Sequence, residues 1–187
     1  MANPGTFQHE VLVRATGMQV LFAFLDPEAI KSWWGARNVV VEPRPGGLLA
    51  IEWEPARFGE DDLLGPLGGV FAGILDRSQA GHFVHFGSLY WLSPKGDALG
   101  PTRLEVTVNS RNDPREAPTI LQVVGSAYRS GGDWDRWFEV SQRAWEHTIL
   151  KVQAWCETQA PEQAEQRVLG LGDSYLAEAV NKRRRIS

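Results

Sequence analysis

Four histidines and a single cysteine are the side chains here best suited to proton transfer, nucleophilic attack or metal ligation near neutral pH. Their spacing gives them little joint work. His82 and His85 fall on opposite faces of one expected strand, so at most one of them points inward. If Phe83, Leu89 and Trp91 face the interior, His85 does too. It could then donate or accept a proton there, with a carboxylate from another strand as its partner. The alternative is a histidine hydrogen-bonded within the core or at a strand end. The sequence does not show which strand supplies that partner. A buried carboxylate such as Glu52 or Glu105 is the other candidate for catalysis, and strand alternation turns both toward water. His147 follows Glu146 off the apolar stripe of a long expected helix, which makes it a surface residue. His9 stands alone. No HExxH, paired cysteine or Cys/His cluster is present, so no zinc site is expected. Without a P-loop or GxGxxG, no cofactor is expected either. The Glu60-Asp61-Asp62 run could hold a cation, but the commoner role of such a run is a solvated loop tip.

Two C-terminal features invite other chemistry. GLGDSYL (Gly170–Leu176) resembles the GDSL-type esterase motif, which requires its serine after an early strand of an α/β chain and a histidine far downstream. Ser174 has thirteen residues after it and none is histidine. Asp173-Ser174 is better read as a helix N-cap pair. The run Lys182-Arg183-Arg184-Arg185 could touch acidic surfaces or nucleic acid, or simply complement the dipole of a last helical turn. The formal net charge of −4 argues against a nucleic-acid footprint over the whole domain.

The elements that must position these residues follow from patterning. The 187 residues suffice for one domain with a substantial core plus a tail, and 43% hydrophobic with 22% charged content fits a globular chain. The lone Cys156 excludes an intrachain disulfide and fits a reducing compartment. No apolar run reaches the roughly 18–20 residues that span a bilayer, so no membrane contact is expected. The N-terminal segment lacks a signal-peptide pattern, which makes a cytoplasmic protein the default expectation.

A strand-like run, His9–Ala15, precedes an apolar helix carrying Val20, Phe22, Ala23, Phe24 and Leu25. Asp26 is placed to cap a second helix, with Pro27 at its first position, where no backbone N–H is needed. Period-two runs follow at Asn38–Glu42, Leu48–Glu54, Gly69–Arg77, His82–Trp91 and Thr102–Asn109. Ser78-Gln79-Ala80-Gly81 reads as a hairpin loop. Thr119–Tyr128 is apolar and fits a strand or a short helix. Asp133 is placed to cap a long helix over Trp134–Thr158, whose apolar stripe runs through Trp134, Phe138, Trp145, Thr148, Ile149, Val152, Trp155 and Cys156. At 1.5 Å per residue this helix is about 37 Å long and can cross a sheet. Two short helices are expected in 161–169 and 173–185.

Strand, two short helices joined by "DPE", "WWG", antiparallel strands and one long helix form a restrictive order. The segments LDPEAIKSWWG (Leu25–Gly35), Gly46-Gly47, Gly68-Gly69-Val70, GPTRLEVTV (Gly100–Val108) and Trp145 together resemble the activator-of-Hsp90-ATPase-like (AHSA1-like) branch of the START/Bet v 1 (SRPBCC) superfamily. The resemblance covers roughly residues 7–158. It departs in 110–133, longer than is usual there, and in 159–187, a helical extension past the usual end. It implies an α+β helix-grip fold in which a curved antiparallel sheet wraps a long C-terminal helix and leaves a cavity between them.

Eight tryptophans serve either a large core or the walls of that cavity. The expected ligand-binding residues are Trp33, Trp34, Trp53, Phe71, Phe83, His85, Trp91, Trp134, Phe138 and Trp145. Three functions compete. The first is binding of a small hydrophobic or aromatic molecule, favoured because no convincing catalytic set is present. The second is a cyclase- or hydrolase-like enzyme using His85 or a buried carboxylate. The third, implied by the family resemblance alone, is an Hsp90-type co-chaperone. The tail helices could fold back on the same domain or pair with a second copy, the latter giving a homodimer.

Overall fold

The computed structural model describes residues 5–53, 69–92, 97–110 and 118–158. The chain opens with strand β1 (Gly5–Val13), followed by helices α1 (Gly17–Phe22) and α2 (Pro27–Trp34). Helix α1 starts on a capping box: Thr16 Oγ1 accepts from Gln19 N–H at 3.2 Å, and Gln19 Oε1 accepts from Thr16 N–H at 2.8 Å. Asp26 caps α2 by accepting from Ala29 N–H at 3.2 Å, with Pro27 in the first turn as its type dictates. Gly35, at φ 66°, ends α2 in the left-handed conformation that glycine adopts without steric cost. The residues between the helices, Ala23, Phe24 and Leu25, are buried.

Six strands follow: β2 (Asn38–Val41), β3 (Leu48–Glu52), β4 (Val70–Gln79), β5 (Phe83–Leu92), β6 (Leu99–Asn109) and β7 (Thr119–Tyr128). Thr119–Tyr128, open between strand and helix in the sequence, is a strand. It is paired on both sides, by β1 and by β6, and so buries Leu121 and Val123. The seven strands form one antiparallel sheet in the order β1-β7-β6-β5-β4-β3-β2. Helix α3 (Asp133–Thr158) then packs against β1, β7 and both short helices. It begins one residue before the expected Trp134. Asp133 lies inside the helix, and Asp135 Oδ1 accepts from the preceding Gly131 N–H at 2.9 Å.

Two irregularities decide which side chains reach the interior. Between Phe86 and Leu89, β5 advances three residues while β6 advances two, from Leu104 to Thr102. The extra residue forms a bulge, with Ser88 at φ 46°. Val84 and Phe86 point inward before it, and Leu89 and Trp91 after it. Strand β7 repeats the device: Gly125 opposes Phe7 and Tyr128 opposes Gly5, three residues against two, with Ala127 at φ 66°. Leu121 and Val123 are buried upstream, and the bulge returns Tyr128 to the same face. A Cβ on Gly125 would collide with the Phe7 ring, so glycine is required at this close approach.

A curved antiparallel sheet gripping one long helix, with two short helices after the first strand, is the helix-grip (START/Bet v 1-like) arrangement.

Candidate functional site

Between the sheet and the N-terminal half of α3 lies a cavity of about 460 Å³. Each wall is built from a different element. The end of α2 supplies Trp34 and the turn Gly35–Arg37; the residue after β3 supplies Trp53; β4 and β5 supply Phe71 and Trp91. Tyr128 comes from β7, and Trp137, Val140, Ser141, Ala144 and Trp145 come from α3.

The walls are ring against ring. Trp34 meets Trp53 edge-on at 5.1 Å and Trp145 at 5.1 Å. Trp91 stacks on Trp137 at 5.1 Å with an interplanar angle of 20°. Phe71 and Tyr128 flank Trp137 at 6.5 Å and 6.4 Å. Offset and edge contacts of this kind hold large flat groups rigidly. Hydrogen bonds fix two of the indoles: Trp53 Nε1–H donates to Trp34 O at 3.3 Å, and Trp33 Nε1–H donates to Ala23 O at 2.8 Å.

Polar groups in the lining are few. The Tyr128 and Ser141 hydroxyls share a hydrogen bond, which slightly offsets the burial that pushes the Tyr128 pKa up to about 12. Tyr128 is therefore a neutral phenol throughout the physiological range. Arg37 lies exposed on the rim. Among the described residues, the lining holds no histidine, cysteine, lysine or carboxylate. No group of three or more His, Cys, Asp or Glu among the described residues could hold a metal ion.

Of the ten residues expected at the site, Trp34, Trp53, Phe71, Trp91 and Trp145 line the cavity. Three others lie outside the lining. Trp33 is buried and stacks under Trp34 at 4.9 Å. Phe138 packs on Tyr128 at 5.3 Å. Trp134 sits at the start of α3 beneath the Arg129 guanidinium, 5.3 Å from its ring.

Phe83 and His85 are corrections. Both lie on the opposite face of the sheet, because the β5 bulge at Ser88 breaks the alternation that would have aligned them with Leu89 and Trp91. His85 Nδ1 accepts from Arg77 Nε–H at 3.1 Å, and its ring lies 4.7 Å from that of Phe83. Glu105 is its opposite number on β6. Burial lowers the His85 pKa and the Arg77 charge adds to this, while Glu105 and Asp76 oppose it. Glu52 is bonded to Asn38, whose Nδ2–H donates at 2.6 Å.

The sequence reading missed Trp137, Ser141 and Tyr128. Trp137 and Ser141 carried a signal, since they stand eight and four residues before Trp145 on the same helical face. Tyr128 carried none, because its inward direction depends on the bulge at Ala127. Glu60-Asp61-Asp62, GLGDSYL, Lys182–Arg185 and the two helices expected in 161–185 lie outside the described residues.

No family model matches the sequence, and no curated protein matches it. Solved structures do. Protein CV1439 from Chromobacterium violaceum superposes with a TM-score of 0.62 at 17% identity, over 82% of this chain and 98% of that one. The Aha1 dimer from Colwellia psychrerythraea gives 0.58 at 12% identity, over 82% and 97%. DynU16, from the dynemicin biosynthetic locus, gives 0.58 at 16% identity, over 83% of this chain and 48% of its own. At these identities the likeness shows the fold alone: this chain shares the helix-grip architecture of these structures. Among the described residues, no helix is long and apolar enough to cross a membrane.

Proposed function

We propose that this chain is an AHSA1-like helix-grip protein whose residues 7–158 bind a small hydrophobic or aromatic molecule in the cavity between sheet and helix. The carrying observation is the 460 Å³ hollow walled by five tryptophans, a phenylalanine and a tyrosine. Ligand pockets have this size range and this composition, with a few polar anchors. The lining offers no described group that titrates near neutrality, so binding is favoured over acid–base turnover. The marks LDPEAIKSWWG and GPTRLEVTV fall largely on α2 and β6, and their order along the chain supports the AHSA1-like reading.

Titration of the purified full-length protein with naphthyl compounds and with long-chain fatty acids, followed by tryptophan fluorescence and calorimetry, tests this. Saturable quenching is expected, with about 2.7 kcal/mol of added stability at a hundredfold excess of ligand over Kd. Absence of any response across both series overturns the proposal. The Colwellia neighbour is a dimer, which supports a homodimer as the assembly here. Light scattering that returns a monomer mass ends that part of the proposal.

A further inference from the structure

We infer that the outer face of β2–β5 is the surface on which a second copy of this chain docks. This rests on the homodimer proposed above and names its interface. An antiparallel sheet with one wet face alternates apolar and polar residues along each strand, whereas strands covered on both faces read as continuous apolar runs. This sheet contains both kinds. Strand β6 alternates: Leu104, Val106 and Val108 are buried, and Arg103, Glu105 and Thr107 face the other way. Strands β2 to β5 do not. Their runs VVV, LLAI, VFAGIL and LYWL put apolar residues on both faces.

The inward members, such as Leu49, Ile51, Phe71 and Trp91, belong to the core. Val40, Leu48, Ile74, Tyr90 and Leu92 point away from it and are 36 to 51% exposed. Seven large apolar side chains are exposed among the described residues, and these are five of them. Pairing makes them neighbours. Val40 stands opposite Ala50, Ala50 opposite Ala72, and Ala72 opposite Tyr90. The pairs Leu48–Ile74 and Val70–Leu92 flank that row. The result is one contiguous patch, floored by two alanines with a ridge on either side.

Size and charge both fit a second copy. At those exposures the five side chains present on the order of 400 Å² of chiefly apolar surface, as large as the largest patch of a typical monomer. A stable interface buries about 800 Å² on each partner, a little over half of it apolar. The patch therefore supplies the apolar part of such an interface. Its rim carries both signs. Glu42 and Arg44 pair at 3.0 Å beside Leu48, whose N–H donates to Glu42 Oε2 at 3.4 Å, and Asp76 and Arg77 are exposed just beyond Ile74. A nucleic acid or an anionic bilayer is met by a single positive sign. A rim of mixed sign is met by its own copy turned about a two-fold axis, where carboxylates face guanidinium groups.

The test uses the full chain at concentrations where light scattering gives a dimer mass. The methyl resonances of Leu48, Ile74 and Leu92 are followed with a water-soluble paramagnetic agent, against Leu12 and Leu150, which are exposed but off the patch. The patch methyls should be broadened less than these two controls, and should match them on dilution to monomer. This measurement needs no variant to fold. Leu48→Glu and Leu92→Glu, each of which sets an unpaired charge in the contact, should raise the dimer Kd by at least about 10-fold. Leu150→Glu should leave it unchanged. A Kd unmoved by both patch variants, or patch methyls as open as the controls in the wild-type dimer, overturns the inference while the homodimer stands. Patch methyls shielded equally in monomer and dimer overturn it too, since a segment of the same chain would then be the cover. A wild-type protein that stays monomeric sinks the homodimer and this inference together and leaves cavity binding intact.

Discussion

The two halves of α3 cover the same sheet in opposite ways. From Trp137 to Trp145 the helix faces a hollow, and its contacts are tryptophan rings propped against other rings. From Thr148 to Cys156 it is filled in. Thr148, Ile149, Val152 and Cys156 are buried, and Trp155 packs with Met18 and Phe22 of α1. This half is also tied to β1, where Gln153 Nε2–H donates to Leu12 O at 2.9 Å and Glu157 Oε1 accepts from Arg14 N–H at 3.0 Å. Those bonds occupy backbone groups at and just past the end of β1, the strand that ends the sheet. The contrast is one of shape. Branched aliphatic side chains interdigitate to crystal-like density, whereas indoles locked edge to face leave the space between them unfilled. One helix thus carries an anchor at one end and a pocket wall at the other.

The largest effect that could break this contrast concerns Cys156. Burial, with help from Glu157, pushes its pKa from 9.0 to about 12. The thiolate is therefore scarce at neutral pH, although the thiolate that does form is the more nucleophilic for its higher pKa. Labelling by a water-soluble disulfide reagent should be at least about 10-fold slower in the native protein than in the denatured chain. Comparable rates would mean that the anchor half is open.

A matched pair of substitutions sharpens the comparison. Val152 is 0% exposed and Val140, in the cavity wall, is 7% exposed. Both Val→Ala changes gain the same helix propensity, so that contribution cancels. Val152→Ala opens a void in a packed layer and should cost about 2 kcal/mol in denaturant unfolding. Val140→Ala merely enlarges an existing hollow and should cost under about 1 kcal/mol. Equal losses would show that the two halves pack alike.

The smallest effect lies outside the gripped layer, on the far face of β5. The folded-state pKa of His85 is lowered below its ordinary 6.5. As pH falls below 6.5 the unfolded chain takes up the proton first, so stability declines as pH drops through the folded-state value and levels off beneath it. His85→Gln should flatten that part of the acid limb and leave stability above pH 7 nearly unchanged. Ligand affinity should be unaffected, because His85 is not in the cavity. An unaltered acid limb removes His85 as its source, and a loss of affinity would return the residue to the site.

Much of this architecture was legible in the residues. Asp26-Pro27 and Gly35 bound α2 because capping and left-handed geometry belong to particular side chains, whatever the rest of the chain does. The stripe from Trp145 to Cys156 follows from the 3.6-residue period of a helix, and Leu104, Val106 and Val108 from the two-residue period of a strand. Half of the expected lining, Trp34, Trp53, Phe71, Trp91 and Trp145, followed from aromatic residues at inward phases. Trp137 was legible too, for it shares its helical face with Trp145.

The phase of a strand across a bulge belongs to the sheet. Gly87 and Gly125 inside the two strand runs hint at irregularity, but the residues that carry the positive φ, Ser88 and Ala127, are not glycine, so the hint does not say where the alternation slips. Each bulge exists because neighbouring strands must keep their ladder while the sheet curves around α3, and that is a demand of partners distant in sequence. It carried His85 outward and brought Tyr128 inward. The sequence by itself determined which elements form and which of their faces are greasy. Tertiary structure alone decided where the alternation slips, and with it which side chains line the hollow.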